Sequence, residues 1–113
     1  DDMREAPSVN IITSLIEGGA KVQTFDPIAN DKAMKYFPQK WILDKRLSFC
    51  NDNFVALENA HALILMTEWK MFRNPSIPNM KKMMKCLCVF DGRNQYDPLY
   101  MKQNGFEYKG VGR

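Results

Sequence analysis

With 113 residues and a net charge of +3, the chain has room for one small domain with a real core, and it is too weakly basic to argue for nucleic acid. Hydrophobic residues make up 45% and charged residues 26%, ordinary for a globular chain, and no apolar run is long enough to span a bilayer. Three cysteines are an odd number that fits no disulfide framework, which points to a reducing, cytoplasmic setting.

Residues 1–7 read as a polar lead-in. A helix is predicted over 8–17, with Val9, Ile12, Leu15 and Ile16 on one stripe, Pro7 in its first turn and Gly18-Gly19 at its end. A short strand over 21–25 stops at Asp26-Pro27. Residues 31–36 read as a short helix and 38–45 as irregular. A strand over 46–50 places Leu47 and Phe49 on one face, and a helix over 52–57 is capped by Asn51 or Asp52. The run 62–66 reads as a strand buried on both faces. Residues 75–85 hold a helix with Lys81, Lys82 and Lys85 on a wet face and Met80, Met83 and Met84 on an apolar one. The next strand covers 87–90, a last helix 97–103 closes at Asn104-Gly105, and 106–109 forms a final edge strand.

Strict alternation of helices and strands predicts an α/β fold: a Rossmann-like, three-layer domain with a mostly parallel sheet. Such a domain normally starts on its central strand. Here a helix comes first, so that strand is expected to be missing or supplied from upstream.

The sharpest local signal is Cys86-Leu87-Cys88-Val89-Phe90-Asp91-Gly92-Arg93-Asn94, an apolar strand that ends abruptly in a turn carrying a cation. Ligands of open α/β sheets sit outside the carboxyl ends of strands. A guanidinium there could hold phosphate or carboxylate bidentately; pairing with Asp91 or Asp97 is the equal alternative for Arg93. The strand over 62–66 makes a similar ending in Thr67-Glu68-Trp69, where Glu68 and Trp69 could line a pocket, packing of Trp69 under a loop with Phe72 being the favoured alternative. The loop expected before the first helix, Asp1 to Ser8, has no glycine and three carboxylates. It therefore lacks the means to bring backbone up to a pyrophosphate, and the chain should not bind NAD by itself in the usual crevice. Arg4 is the lone cation among those acids: it could reach out to a phosphate, but from the residues alone pairing with Asp1, Asp2 or Glu5 is the favoured reading. His61 has no second histidine with which to build a metal site, and Cys50, Cys86 and Cys88 are expected in the core. No catalytic constellation and no metal site are expected in this chain.

Taken in order, Asp1-Asp2-Met3-Arg4-Glu5-Ala6-Pro7-Ser8, Phe25-Asp26-Pro27, Thr67-Glu68-Trp69 with Phe72, Phe90-Asp91-Gly92-Arg93-Asn94, Gly105-Phe106-Glu107-Tyr108 and Gly110-Val111-Gly112-Arg113 resemble the UDP-glucose/GDP-mannose dehydrogenase family. The resemblance spans essentially the whole chain and is to the family's C-terminal, UDP-binding domain. It implies that residues 1–113 are that domain, trimmed at its N-terminal side, since the Phe-Lys pair that precedes the two aspartates in the family has no counterpart here. It implies a parent with an upstream NAD domain and a dimerisation segment. That parent, a homo-oligomer, would oxidise UDP-glucose to UDP-glucuronate with two NAD. Arg93 then matches the arginine that contacts the nucleotide-sugar, and Arg4 the one that reaches NAD held by the other domain. The catalytic cysteine of the family matches none of Cys50, Cys86 and Cys88, so this chain alone is expected to be inactive. A GDP-mannose or UDP-N-acetylhexosamine branch of the family, or a non-catalytic interaction module, are the alternatives.

Overall fold

The computed structural model describes residues 2–25, 34–66 and 77–112, with backbone alone for 2–7 and 53. Asp26-Pro27, residues 31–33 of the helix expected over 31–36, Glu68, Trp69 and Phe72 lie outside the described residues. Two compact units divide the chain, residues 1–56 and 57–113.

In the first unit, helix α1 runs Asp2–Glu17. The expected lead-in is therefore helical rather than a loop. Met3, Arg4, Glu5 and Ala6 are all good helix formers, and acids favour a helix N-terminus; Pro7 already carries a helix-compatible φ and forfeits one backbone bond. The helix ends as the glycines suggest: Gly19 takes φ 99°, and the amides of Gly18 and Ala20 return to Ser14 and Leu15 carbonyls at 3.0 and 2.9 Å. Strand β1, Val22–Thr24, pairs in parallel with β2, Leu47–Phe49, with Val22 opposite Leu47. Between them lie a 3-10 turn, Met34–Tyr36, and helix α2, Gln39–Leu43, where sequence suggested irregular chain. Pro38 sits at the N-cap of α2 with φ −57° and needs no donor there. The single turn of α2 seats Trp41 on the core, and Lys45 at φ 61° ends it.

Ile16, Phe37 and the fully buried Leu47 form that core, with Val9, Ile12, Val22, Trp41 and Phe49 packed against it. Phe37 meets Trp41 and Phe49 at ring distances of 6.2 and 6.1 Å. Each such side chain contributes roughly 1.5–3 kcal/mol by leaving water. Helix α3, Asn53–Leu57, follows; Asp52 caps it by accepting from the Phe54 amide at 2.7 Å, one of the two caps expected.

In the second unit, β3 (Leu63–Leu65), β4 (Cys88–Asp91) and β5 (Glu107–Gly110) form a parallel ladder in the order β3-β4-β5. Helix α4, Ile77–Met83, and helix α5, Pro98–Gln103, connect them. Met80 of α4 and Met101 of α5 join Leu65, Val89, Phe106 and Tyr108 in one cluster. Alternation then leaves Ile64 and its register partner Phe90 on the other face, where both are exposed. So β3 is buried on one face rather than on both, because both helices cover the same side. Cys50 is buried as expected, but Cys86 is exposed in the bend before β4, outside the strand and its alternation.

All the strand pairs are parallel, as the alternation predicted, though the described strands make two ladders rather than one. Among the described residues no helix is long and apolar enough to cross a membrane.

Candidate functional site

Parallel pairing of β3, β4 and β5 brings their carboxyl ends to one edge of the second unit. That edge is where ligands of open α/β sheets are held. Three stretches meet there: the chain leaving Leu65, the turn from Asp91 to Tyr96, and the exit of β5 through Val111 and Gly112.

The turn after β4 is organised by Asp91. Its side chain is 1% exposed, a carboxylate withdrawn from water at a cost that only hydrogen bonds can offset. Oδ1 accepts from the Arg93 amide at 3.0 Å. Oδ2 accepts from the amides of Gln95 and Tyr96 at 2.7 and 2.9 Å, and from the Tyr108 hydroxyl at 2.8 Å. The same hydroxyl lies 3.1 Å from the Tyr96 carbonyl. Burial above all, then the Asp91 charge and Tyr108, push the Tyr96 hydroxyl above the ordinary phenol range. Gly92 completes the turn. Its amide donates to the Leu65 carbonyl at 2.9 Å, and a Cβ on it would stand 2.8 Å from that same oxygen.

Beyond Gly92 the Arg93 side chain is exposed at the sheet edge. The two carboxylates named as its alternative partners both hold backbone donors. Asp91 takes the turn amides, and Asp97 caps α5 by accepting from the Tyr100 amide at 3.0 Å. Asn94 follows with φ 51°, a conformation asparagine tolerates better than most side chains. Its side chain exchanges two hydrogen bonds with the Val111 backbone, at 2.9 and 2.8 Å.

Sequence reading singled out Arg93, and the structure sets it on a hydrogen-bonded turn at the carboxyl edge of the sheet. Arg4 lies in α1, with a side chain outside the described residues, as are Glu68 and Trp69 altogether. Sequence reading missed the anchoring set, Asp91 with Tyr108 and Asn94 with Val111. Asp-Gly-Arg-Asn hinted at the turn through the habit of Asp and Asn of binding nearby backbone, but nothing local marked Tyr108 or Val111, both 17 residues from their partners. Among the described residues no group of three metal-ligating side chains exists.

Comparison with known proteins adds an independent line. The profile of the UDP-glucose/GDP-mannose dehydrogenase family, UDP binding domain, matches residues 1–98. The chain is 39% identical over 113 residues to a UDP-glucose 6-dehydrogenase of Pseudomonas aeruginosa, covering all of this chain and 25% of that protein. A UDP-glucose 6-dehydrogenase of Rhizobium meliloti is 33% identical over the same span, 24% of its length. The chain thus spans about a quarter of the length of the curated relatives it matches. A solved UDP-D-ManNAc dehydrogenase from Pyrococcus horikoshii shares the fold, with a TM-score of 0.54 at 17% identity over 93% of this chain and 31% of that one.

Proposed function

The chain belongs to the UDP-glucose/GDP-mannose dehydrogenase family, and we propose on that premise that residues 1–113 act as the nucleotide-sugar-binding domain of an NAD-dependent UDP-glucose 6-dehydrogenase. In this reading the whole enzyme oxidises UDP-glucose to UDP-glucuronate in the cytoplasm, as a homo-oligomer. The domain holds the UDP moiety and contributes no catalytic residue.

One observation carries the reading. Arg93 is exposed at the carboxyl end of β4, on a turn that Asp91 and Gly92 fix from within. A guanidinium on a rigid turn can make paired, charge-assisted hydrogen bonds to an anionic ligand with little ordering cost. Its contribution is orientation: it presents the sugar to chemistry done elsewhere. The names of the Pseudomonas aeruginosa and Rhizobium meliloti relatives, both UDP-glucose 6-dehydrogenases, support uridine diphosphate as the group held.

The described residues do not form a dinucleotide crevice. α1 already begins at Asp2 and the stretch from Asp1 to Glu17 has no glycine, so that stretch offers a helix and not a glycine-rich cradle for a pyrophosphate. NAD belongs in this reading to another part of the enzyme, with Arg4 reaching toward it, and no step is assigned to the cofactor here.

The test is Arg93→Ala in the full-length dehydrogenase. The KM for UDP-glucose should rise by about tenfold or more, from the loss of hydrogen bonds worth roughly 1.5–3 kcal/mol, while the KM for NAD holds. An unchanged KM for UDP-glucose would refute the assignment of Arg93. A panel of UDP-glucose, GDP-mannose and UDP-N-acetylhexosamines on the unmodified enzyme tests the sugar and base.

A further inference from the structure

Arg93 owes its position to backbone held from beneath, and the group that holds it is itself held. The Asp91 carboxylate gathers amides from Arg93, Gln95 and Tyr96, which between them set the path of the turn. A carboxylate can do this only if its plane is fixed, and rotation about the Cβ–Cγ bond of aspartate is soft. Besides those amides, the Tyr108 hydroxyl gives to Oδ2 from the neighbouring strand at 2.8 Å. Tyr108 is well placed for the task. It lies opposite Val89 in the β4-β5 ladder, two residues before Asp91, and its ring is buried among Met101, Phe106 and Val89. The hydroxyl therefore reaches Asp91 from the packed core and not from the turn itself.

We propose that Tyr108 is a positioning residue for Arg93: through the Asp91 carboxylate its hydroxyl fixes the turn that aims the guanidinium at a diphosphate-bearing ligand. The inference rests on the reading of Arg93 as a substrate contact and deepens it. Tyr108 touches no ligand. Its effect passes through three hydrogen-bonded groups, the hydroxyl, the carboxylate and the Arg93 amide. Without the hydroxyl, Asp91 retains its backbone donors but gains rotational freedom. The turn then samples several paths, and part of the binding energy of Arg93 is spent on ordering it.

A double-mutant cycle in the full-length dehydrogenase distinguishes this from a role in stability alone. Tyr108→Phe, Arg93→Ala and the double variant are compared by KM for UDP-glucose, kcat, KM for NAD and melting temperature. Asp91→Asn, which replaces one acceptor oxygen by a donor, probes the same path from the other side. The proposal expects Tyr108→Phe to raise the KM for UDP-glucose about three- to tenfold, with kcat and the KM for NAD unchanged. This should vanish in the Arg93→Ala background, since a turn with no guanidinium has nothing left to aim. An equal rise in both backgrounds, or no rise, overturns it. So does failure of both Tyr108→Phe and Asp91→Asn to fold, because the network would then be a structural part of the core. If Arg93→Ala alone leaves the KM for UDP-glucose unchanged, the substrate-contact reading fails and this inference falls with it. If Arg93→Ala raises it and Tyr108→Phe does not, only the inference falls.

Discussion

Asn94 and Val111 hold one another through a matched pair of hydrogen bonds, side-chain Nδ2 to carbonyl at 2.9 Å and backbone amide to Oδ1 at 2.8 Å. The carboxamide stands in for a strand residue and prolongs the edge of β5 past Gly110. It does so from a left-handed backbone, φ 51°, which lets the turn reverse while the side chain reaches across. Two loops at the carboxyl edge of the sheet thus share one clamp.

Replacing Asn94 separates its two jobs. Asn94→Gly keeps the left-handed conformation and removes both bonds; at about 0.5–1.5 kcal/mol each, the loss should come to about 1–3 kcal/mol. Asn94→Ala should lose more, because the methyl group disfavours that backbone by roughly 1 kcal/mol. Hydrogen exchange at the Val111 amide should quicken in both. Unchanged exchange in Asn94→Gly would mean that the clamp holds nothing.

Each unit contains a side chain with no exposure, Leu47 in the first and Met101 in the second. Truncation to alanine leaves a cavity that the packed surroundings only partly refill. Leu47→Ala and Met101→Ala should each destabilise the protein by about 2–5 kcal/mol in denaturant titration. In Leu47→Ala, exchange should rise first along Val22–Thr24, its parallel partner strand. Equal stability in either variant would contradict the assignment of these residues to the two cores.

Much of this arrangement is legible in the residue pattern, for reasons that can be named. Alternation of helix and strand fixes parallel pairing, because a parallel neighbour needs a crossover. Within α4, Met80 and Met83 turn inward while Lys81 and Lys82 are exposed, and the expected helix over 75–85 stops at Met83, which leaves Met84 and Lys85 beyond it. Gly92-Arg93 points to a turn with an aimed cation. What stays hidden depends on contacts far along the chain. Phe90 has the look of a core residue and is exposed, since both crossover helices lie on the other face of its sheet. Tyr108 passes for an ordinary strand residue until Asp91 is found beneath its hydroxyl. Residues 38–45 look irregular because Pro38 opens them, yet a proline suits a helix entry, and the apolar pull of Trp41 completes the turn.

Cys50 gives a pH signature. Burial pushes its thiol above the ordinary value of 9.0, so the folded state holds that proton more tightly than the unfolded chain does. The folded state therefore keeps this contribution at neutral pH and below. It loses it as pH rises past the unfolded value and through the folded one. Denaturant titrations of the unmodified protein and of Cys50→Ala should diverge in slope above about pH 9, with the alanine variant falling less steeply. Parallel curves would show that Cys50 is wet. Alkylation at neutral pH should label the exposed Cys86 well before Cys50.

On the proposed reading of Arg93, Gly92 links the integrity of the sheet to ligand capture. Its amide bonds to the Leu65 carbonyl, and an added Cβ would approach that oxygen to 2.8 Å, closer than such contacts occur. The obstacle is backbone, so no side chain can swing aside to relieve it. In Gly92→Ala the turn must lift away from β3, costing about 1–3 kcal/mol of stability, as overpacking commonly does. Arg93 is the next residue, so the shift moves the guanidinium from its aim as well. The KM for UDP-glucose should rise alongside the loss of stability, whereas Leu47→Ala should lower stability and leave that constant alone. If Gly92→Ala lowered stability with KM unchanged, the turn could move without disturbing the ligand, and Arg93 would have to be held by something other than the path Gly92 allows.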